Sequence, residues 1–113
     1  MEKLIERGLL YDFYGELLTK HQQDIYSEIV FNDLSLGEVS EAEGISRQGI
    51  FDLVKRCDKL LEGYEEKLKL IEKFNLIKTQ VSELNVYIDS EEGLDPQFKD
   101  KLLTGLNNIV KEL

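Results

Sequence analysis

Apolar residues recur every three or four positions along almost the whole chain, which is the repeat of an α-helix and not the alternation of a β-strand. Polar and charged residues fill the positions between them, so each predicted helix has one apolar face. The apolar series cover residues 4–18, 25–31, 50–71, 74–88 and 98–110. The pattern therefore predicts an all-α protein with at least five helices.

Residues that commonly begin and end helices mark the boundaries of these segments. Thr19 with Gln22, and Ser35 with Glu38, have the spacing of capping boxes, in which each side chain accepts a backbone N–H from the other residue. A bend is expected near Asn75, because the apolar series is displaced by one position there. The other predicted boundaries are Ser46 and Asp95-Pro96 at helix starts and Gly44 at a helix end.

Residues 35–60 combine a short helix and a longer one separated by Gly44, which is the pattern of a helix-turn-helix. Such a turn lets the first helix brace the second and leaves the outer face of the second free to enter the major groove of DNA. The second helix is accordingly a long recognition helix, and residues 61–113 are a C-terminal helical extension. With 113 residues, the chain has the length of one domain, so residues 1–113 are expected to form a single all-helical domain.

The predicted recognition helix carries several long polar side chains on the face opposite its apolar positions. Arginine and glutamine can recognise guanine and adenine edges through two hydrogen bonds, and lysine suits phosphate. Phe51 is less typical of such a face, and we expect it to pack on a neighbouring helix rather than contact a partner. The candidate nucleic-acid-binding residues are Ser46, Arg47, Gln48, Phe51, Asp52, Lys55, Arg56 and Lys59.

The net charge restricts what this face can bind. The chain has 14 basic and 23 acidic residues and a formal charge of −9, which opposes general binding to nucleic-acid phosphates. Residues 46–60 are the one sizeable stretch that leans positive. Nucleic-acid binding is therefore expected to be weak and salt-sensitive, with DNA favoured over RNA. The alternative is that the cations of this stretch form a solvated face and pair with Asp52 and Asp58.

The composition offers little for catalysis or metal binding. The chain has one histidine and one cysteine, so it lacks the residue sets of a serine or cysteine hydrolase, and its glycines form no phosphate-binding loop. His21 is expected at the surface and Cys57, which follows the apolar spacing, in the core. The acidic group at 89–95 does not fit a calcium-binding loop and is expected to be a solvated loop. We therefore expect neither an enzyme nor a bound metal or cofactor.

The sequence also bears on where the protein acts. No apolar run approaches the roughly 20 residues that a bilayer-spanning helix needs. Residues 1–4 lack the cationic region and following apolar stretch of an export signal. A single cysteine, which forms no internal disulfide, suits a reducing compartment. We expect a cytoplasmic protein without membrane insertion.

The motif region resembles two known groups of bacterial proteins. The stretch from Leu17 to Lys59, with LSLGEVSEAEGISRQGI at its centre, resembles the region-four helix-turn-helix of sigma factors. Residues 10–68 closely resemble the YlxM family of small helix-turn-helix proteins, which implies a link to the signal recognition particle pathway. The sequence departs from the sigma pattern at Glu43, Gly49, Phe51 and Asp52, and these departures argue against promoter recognition of the sigma type.

The resemblance and the charge leave two hypotheses for function. In the first, the chain is a regulatory protein of that pathway that binds nucleic acid through the second helix of the motif. In the second, it is a non-enzymatic accessory that binds the pathway's GTPase or RNA, and the motif is only a scaffold. The two differ in charge distribution, because the first requires positive residues focused on one face and the second does not.

The helices after the motif predict self-association. The spacing from Ile50 to Ile71 and from 74 to 88 resembles a coiled-coil seam, and 113 residues are few to cover both seams and the apolar stripe of the last helix. We favour a dimer, because helix-turn-helix proteins commonly pair to contact two half-sites. The alternative is that residues 74–88 and 98–110 fold back and cover the long helix within one chain. The predicted interface residues are Leu68, Ile71, Val81, Leu84 and Leu106.

Overall fold

The computed structural model describes residues 2–113, and this part of the chain contains helices and no β-strand. The all-α prediction is confirmed. The helices are α1 (Glu2–Tyr14), α2 (Lys20–Val30), α3 (Leu36–Glu43), α4 (Arg47–Leu68), α5 (Leu70–Ser90) and α6 (Pro96–Glu112), with a 3-10 turn at Gly15–Leu17 between α1 and α2.

The predicted helix boundaries are formed by the expected caps. Thr19 and Ser35 each complete a capping box, and Ser46 and Asp95 each accept a backbone N–H from the third residue of their helix. Gly44 ends α3 in the left-handed conformation, with φ of 68°, which a residue without a Cβ adopts at little cost. These contacts are local, and each boundary follows from residues within a few positions of it.

The chain divides into two compact units, one ending at Ile71 and the other spanning Glu72–Leu113. In the first unit, α1, α2 and α3 pack against α4 around one hydrophobic core. Cys57 lies in that core as predicted, fully buried and with a free thiol. The buried residues of this core are Leu10, Tyr14, Leu18, Ile25, Tyr26, Val30, Val39, Ile50, Val54, Cys57 and Leu61.

The seam of α4 that we predicted to mediate self-association is largely used inside the chain. Ile50, Val54, Cys57 and Leu61 all lie in the core of the first unit, on a helix that α1 and α2 cover. Residues 61–71 therefore pack with the first unit, although the sequence placed them in the C-terminal extension. The prediction of a dimer seam along this part of α4 is wrong, because the N-terminal helices already fill it.

The long helix ends at Leu68 and not near Asn75, so the predicted bend is wrong. Lys69 adopts the left-handed conformation, with φ of 55°, and the chain restarts as α5 at Leu70. Long-range contacts stabilise this break. Tyr14 Oη accepts the Leu70 backbone N–H at 3.1 Å, and the Glu65 carboxylate accepts the Ile71 N–H at 3.0 Å and the Tyr14 hydroxyl at 2.6 Å.

An ion pair and a tyrosine join three helices of the first unit. Arg7 in α1 donates two hydrogen bonds to the Asp58 carboxylate in α4, at 3.1 and 2.5 Å, and the Tyr26 hydroxyl in α2 donates a third at 2.6 Å. The hydrogen bond to Asp58 raises the pKa of Arg7, and burial followed by the bond to Asp58 raises the pKa of Tyr26. The Asp58 carboxylate is therefore directed toward α1 and α2.

The second unit contains most of α5, the 91–95 connection and α6. Val81 is its buried hydrophobic residue, at 7% exposure, and α6 buries none. Lys99 in α6 donates a hydrogen bond to the Asp89 backbone carbonyl at 3.1 Å and also faces the Asp89 carboxylate at 3.7 Å. The unit is thus a helical hairpin with a thin apolar interior.

Candidate nucleic-acid interface

The turn between α3 and α4 fixes how the second helix is presented. Ser40 in α3 donates a hydrogen bond to the backbone carbonyl of Ile45, and Ser46 caps α4. A Cβ at Gly49 would lie 2.7 Å from Ile45 Cγ2, so a larger residue at this position in the first turn of α4 would force the Ile45 side chain to move. That close approach accounts for one departure from the sigma pattern, since an arginine at residue 49 would displace the Ile45 side chain.

The polar positions of α4 form one exposed surface, as the sequence predicted. We name this surface the outer face of α4. Ser46 lies at its edge, where its hydroxyl accepts the Gly49 backbone N–H at 3.0 Å. The helical residues of the face are all exposed, and they are Arg47, Gln48, Phe51, Asp52, Lys55, Arg56 and Lys59.

Arg47 lies against the first helix of the motif. A Cβ on Gly37 in α3 would lie 3.0 Å from Arg47 Nη2 and 3.3 Å from its Cζ and Nε. The guanidinium therefore lies directly over the α3 backbone, and glycine at residue 37 makes the room. Arg47 therefore places a positive charge at the junction of both helices.

Gln48 and Asp52 form a pair across one helical turn. Gln48 Nε2 donates a hydrogen bond to Asp52 Oδ1 at 2.9 Å. The bond restricts the rotamer of the glutamine amide and satisfies part of the hydrogen-bonding capacity of the carboxylate. Asp52, an acidic residue on a face with several cations, therefore orients the side chain of Gln48.

Phe51 and Lys55 form a second pair. The Lys55 ammonium lies 5.2 Å from the centroid of the Phe51 ring, and the phenylalanine remains 42% exposed. Our expectation that Phe51 packs on a neighbouring helix is wrong. Its position on α4 points away from the core residues Ile50 and Val54, so the ring contacts a lysine of its own helix instead.

The basic residues of the outer face of α4 are grouped. Lys55, Arg56 and Lys59 line one shallow groove of about 280 Å³ together with Asp52. Asp58, which lies between these cations in sequence, is turned inward to Arg7 and Tyr26. The expected alternative, in which Asp58 neutralises this face, is wrong for that residue because its carboxylate is committed elsewhere.

Arg7 affects the charge of this surface although no local pattern in the sequence indicated it. It lies 51 residues from Asp58, and no local spacing connects the two. By sequestering Asp58, it leaves the outer face of α4 more positive than a count over residues 46–60 indicates. An arginine among apolar positions of α1 was the available signal, since a basic group on a packed helix needs an acidic partner.

The predicted interface residues occupy different environments. Leu68 and Leu84 are 46% and 45% exposed, Leu106 is half-buried, Val81 is buried, and Ile71 packs on the core of the first unit. Leu84 and Leu106 line an apolar groove of about 430 Å³ along α5 and α6, together with Ile88, Leu102 and Ile109. The other flank of the hairpin has a smaller and more polar groove that includes Asn85 and Asn107.

Other candidate chemistry stays dispersed. His21 Nε2 lies 3.5 Å from Glu43 Oε2 and its side chain is 55% exposed, in agreement with the predicted surface position. Burial, followed by the charge of Asp58, raises the pKa of Cys57 to about 11, so the thiol is protonated at neutral pH. Within residues 2–113, no three histidine, cysteine or acidic side chains are placed to hold a metal ion, and none of the helices is long and apolar enough to span a membrane.

A short helix capped by serine, a left-handed glycine turn and a longer helix with a polar outer face define the class of helix-turn-helix proteins. The chain belongs to the UPF0122 family, whose description is "Putative helix-turn-helix protein, YlxM / p13 like" and whose model matches residues 1–101. The resemblance to YlxM proteins is thus confirmed.

Curated relatives agree with this assignment. A UPF0122 protein of Listeria welshimeri is 43% identical over 101 residues, which cover 89% of this chain and 92% of the relative. UPF0122 proteins of Bacillus cereus strain AH187 and of Bacillus thuringiensis subsp. konkukian are each 40% identical over 99 residues, covering 88% of this chain and 90% of each relative. No solved structure matches the chain.

Proposed function

We propose that this protein is a non-enzymatic regulator that binds DNA through the outer face of α4 and acts in the cytoplasm. The observation that carries this proposal is the grouping of cations on that face. Lys55, Arg56 and Lys59 line one groove, and Arg47 lies over α3. The Asp58 carboxylate does not offset these charges on the outer face, because it accepts hydrogen bonds from Arg7. An acidic protein that binds DNA needs this focusing of its positive residues.

The geometry supports a standard docking of the second helix. With α4 in the major groove, Arg47 and Lys59 are separated by 12 residues, or about 18 Å along the helix axis, and can meet phosphates on the two sides of the groove. Gln48, Phe51 and Asp52 lie between them and face the base edges. Three or four phosphate contacts give a dependence of log affinity on log salt of about −3.

Fluorescence anisotropy with a labelled random-sequence DNA duplex tests the proposal. Replacing Arg47 and Lys59 together with alanine should weaken binding and make the salt dependence shallower by about 2. The matched control is the double replacement Lys73→Ala and Lys111→Ala, which removes the same charge from exposed sites of the second unit. An affinity that does not depend on salt concentration, or an equal loss of affinity in both double variants, would contradict DNA contact by α4.

A second candidate is an accessory that binds a protein of the signal recognition particle pathway, which the resemblance to YlxM proteins implies. The net charge of −9 favours it, since an acidic surface suits a basic partner. The test is titration with the purified GTPase of the pathway and, separately, with its RNA. Replacing Glu91, Glu92 and Asp95 with lysine should abolish binding to the GTPase, while Arg47→Ala should leave it unchanged. The opposite pattern would exclude this candidate.

We also propose that the protein is a homodimer that pairs through the second unit. The support is that α6 buries no residue while Leu84, Ile88, Leu102, Leu106 and Ile109 line an apolar groove. A dimer would carry two α4 helices, and helix-turn-helix proteins commonly pair in order to contact two half-sites. Sedimentation equilibrium at micromolar concentration should give twice the chain mass, and Leu84→Asp should give a folded monomer. Leu76→Asp, at an exposed position outside the groove, is the control, and a monomeric wild type would refute the dimer.

A further inference from the structure

We infer that the outer face of α4 recognises A·T base pairs in the major groove, with Phe51 and Lys55 selecting thymine and Gln48 with Asp52 selecting adenine. The inference rests on the proposed DNA binding and adds the base preference of the same site. It follows from two side-chain pairs that are already formed in the free protein, at 5.2 Å between Lys55 Nζ and the Phe51 ring centroid and 2.9 Å between Gln48 Nε2 and Asp52 Oδ1.

The pair of Phe51 and Lys55 matches the major-groove edge of thymine. Thymine presents a C5 methyl group next to the O4 acceptor, and no other DNA base combines the two. The exposed ring of Phe51 can cover the methyl group while the adjacent ammonium donates to O4. Cytosine presents an amino donor in place of O4, which would oppose the lysine, and guanine has acceptors but no methyl group.

The pair of Gln48 and Asp52 is arranged for adenine. An amide reads adenine by accepting from the N6 amino group with its oxygen and donating to N7 with its nitrogen. One proton of Gln48 Nε2 is donated to Asp52, so the second proton and the amide oxygen remain to form this pair. Guanine presents two acceptors, O6 and N7, and its O6 would face the amide oxygen without a bridging hydrogen.

The two pairs are close enough to address neighbouring base pairs. Gln48 and Phe51 are three residues apart, which is about 4.5 Å along a helix axis and similar to the ~3.4 Å rise of one base pair. Both pairs also favour DNA over RNA. Uracil lacks the methyl group, and the major groove of an RNA duplex is too deep and narrow for a helix to reach base edges.

The decisive experiment compares 20-base-pair duplexes of mixed A·T sequence with the same duplexes in which deoxyuridine replaces every thymine. Wild-type protein should bind the thymine duplex about fourfold more tightly, which corresponds to one covered methyl group. Phe51→Ala should bind both duplexes equally. Tyr87→Ala, which removes an exposed aromatic residue from the second unit, should keep the fourfold difference. Circular dichroism checks that both variants are folded.

A duplex of mixed G·C sequence completes the test. It should bind more weakly than the A·T duplex, and Gln48→Ala should reduce that difference about fivefold or more. Equal, salt-sensitive binding of all three duplexes would overturn this inference while leaving DNA binding intact. Preference for G·C would overturn it as well, and so would tighter binding of single-stranded uridine-rich RNA. If no duplex is bound at low salt, the proposed function itself fails.

Discussion

The two units of this protein have similar helical content but differ in how they are held together. The first unit surrounds α4 with three helices and, among residues 2–71, its core buries eleven hydrophobic side chains, including two tyrosines. The second unit is a hairpin in which α6 buries none, and Phe98, Ile109 and Leu113 are at least half exposed. Helical periodicity is equally clear in both, so periodicity predicts a helix but does not determine how completely its apolar face is covered.

The contrast also separates the two proposed binding surfaces. The first unit has the core and the ion pair needed to hold the outer face of α4 rigid without any partner. The second unit exposes an apolar groove between α5 and α6, which is the surface proposed above for association. The proposed recognition surface and the proposed association surface therefore lie in different units, and substitutions can alter one without the other.

The largest expected difference between the units is in the cost of removing a core side chain. Ile50→Ala should destabilise the protein by about 2–5 kcal/mol, because Ile50 is fully buried and a cavity remains. Ile109→Ala should cost less than about 1 kcal/mol, because that side chain is already half exposed. Urea denaturation followed by helical circular dichroism measures both values.

Protein concentration sharpens this comparison. If a second copy covers the α5–α6 groove, the cost of Ile109→Ala should increase with protein concentration, whereas the cost of Ile50→Ala should not. Equal costs for the two variants at every concentration would show that both units are packed alike and would contradict the comparison.

The second largest difference concerns the charged pairs. Asp58→Ala removes the acceptor of Arg7 and Tyr26 and should cost about 1.5–3 kcal/mol, the range for hydrogen bonds to a charged group that become unsatisfied. Asp89→Ala, which removes the exposed partner of Lys99 in the second unit, should change stability by less than about 0.5 kcal/mol. Chemical denaturation in matched buffers gives both numbers, and a small cost at Asp58 would show that its network is not structural.

Much of this fold could be predicted from the sequence because much of it is local. The caps at Thr19, Ser35 and Ser46 and the turn at Gly44 are determined by residues within four positions, and all formed as expected. The identity of the outer face of α4 followed from the same helical period. The local pattern was less informative at positions where residues distant in the sequence determine the end of a helix or the direction of a side chain.

The predictions from sequence that were wrong have a common physical cause. The break at Lys69 depends on Tyr14 supplying an acceptor from α1, 56 residues before Leu70. The direction of Asp58 depends in the same way on Arg7. For such positions the spacing within one helix is not informative, because the partner is contributed by tertiary packing.

Alkaline pH should affect the first unit more than the second. Burial raises the pKa of Cys57 to about 11 from an ordinary value of 9.0, and burial also raises the pKa of Tyr14 and Tyr26. A raised pKa adds stability that is complete below the ordinary value and is lost as pH rises through the folded-state value. Stability should therefore fall from about pH 9 upward, with the Cys57 contribution lost by about pH 11.

Denaturation curves between pH 8 and pH 12 measure this loss. Cys57→Ala should show a shallower decline between pH 9 and 11, because one of the buried titrating groups is gone. Thiol labelling offers a second readout at pH 8: Cys57 should react only as fast as the first unit opens, whereas a cysteine placed at exposed Val86 should react at once. Rapid labelling of native Cys57 would contradict a tightly packed first unit.

The smallest expected effects come from glycines inside helices. A Cβ at Gly63 in α4 or at Gly105 in α6 would meet no atom within 4 Å, so neither position needs glycine for space. Gly63→Ala and Gly105→Ala should each stabilise the protein by about 0.5–1 kcal/mol, since alanine has the higher helix propensity. Gly49→Ala should destabilise it instead, because its Cβ would lie 2.7 Å from Ile45 Cγ2. Thermal unfolding of the three variants checks the sign of each change in stability. Gly105→Ala also tests the α5–α6 groove, because Gly105 lines that groove and the added methyl group would enter it. A lower dimer affinity together with a higher monomer stability would identify the groove as the association surface.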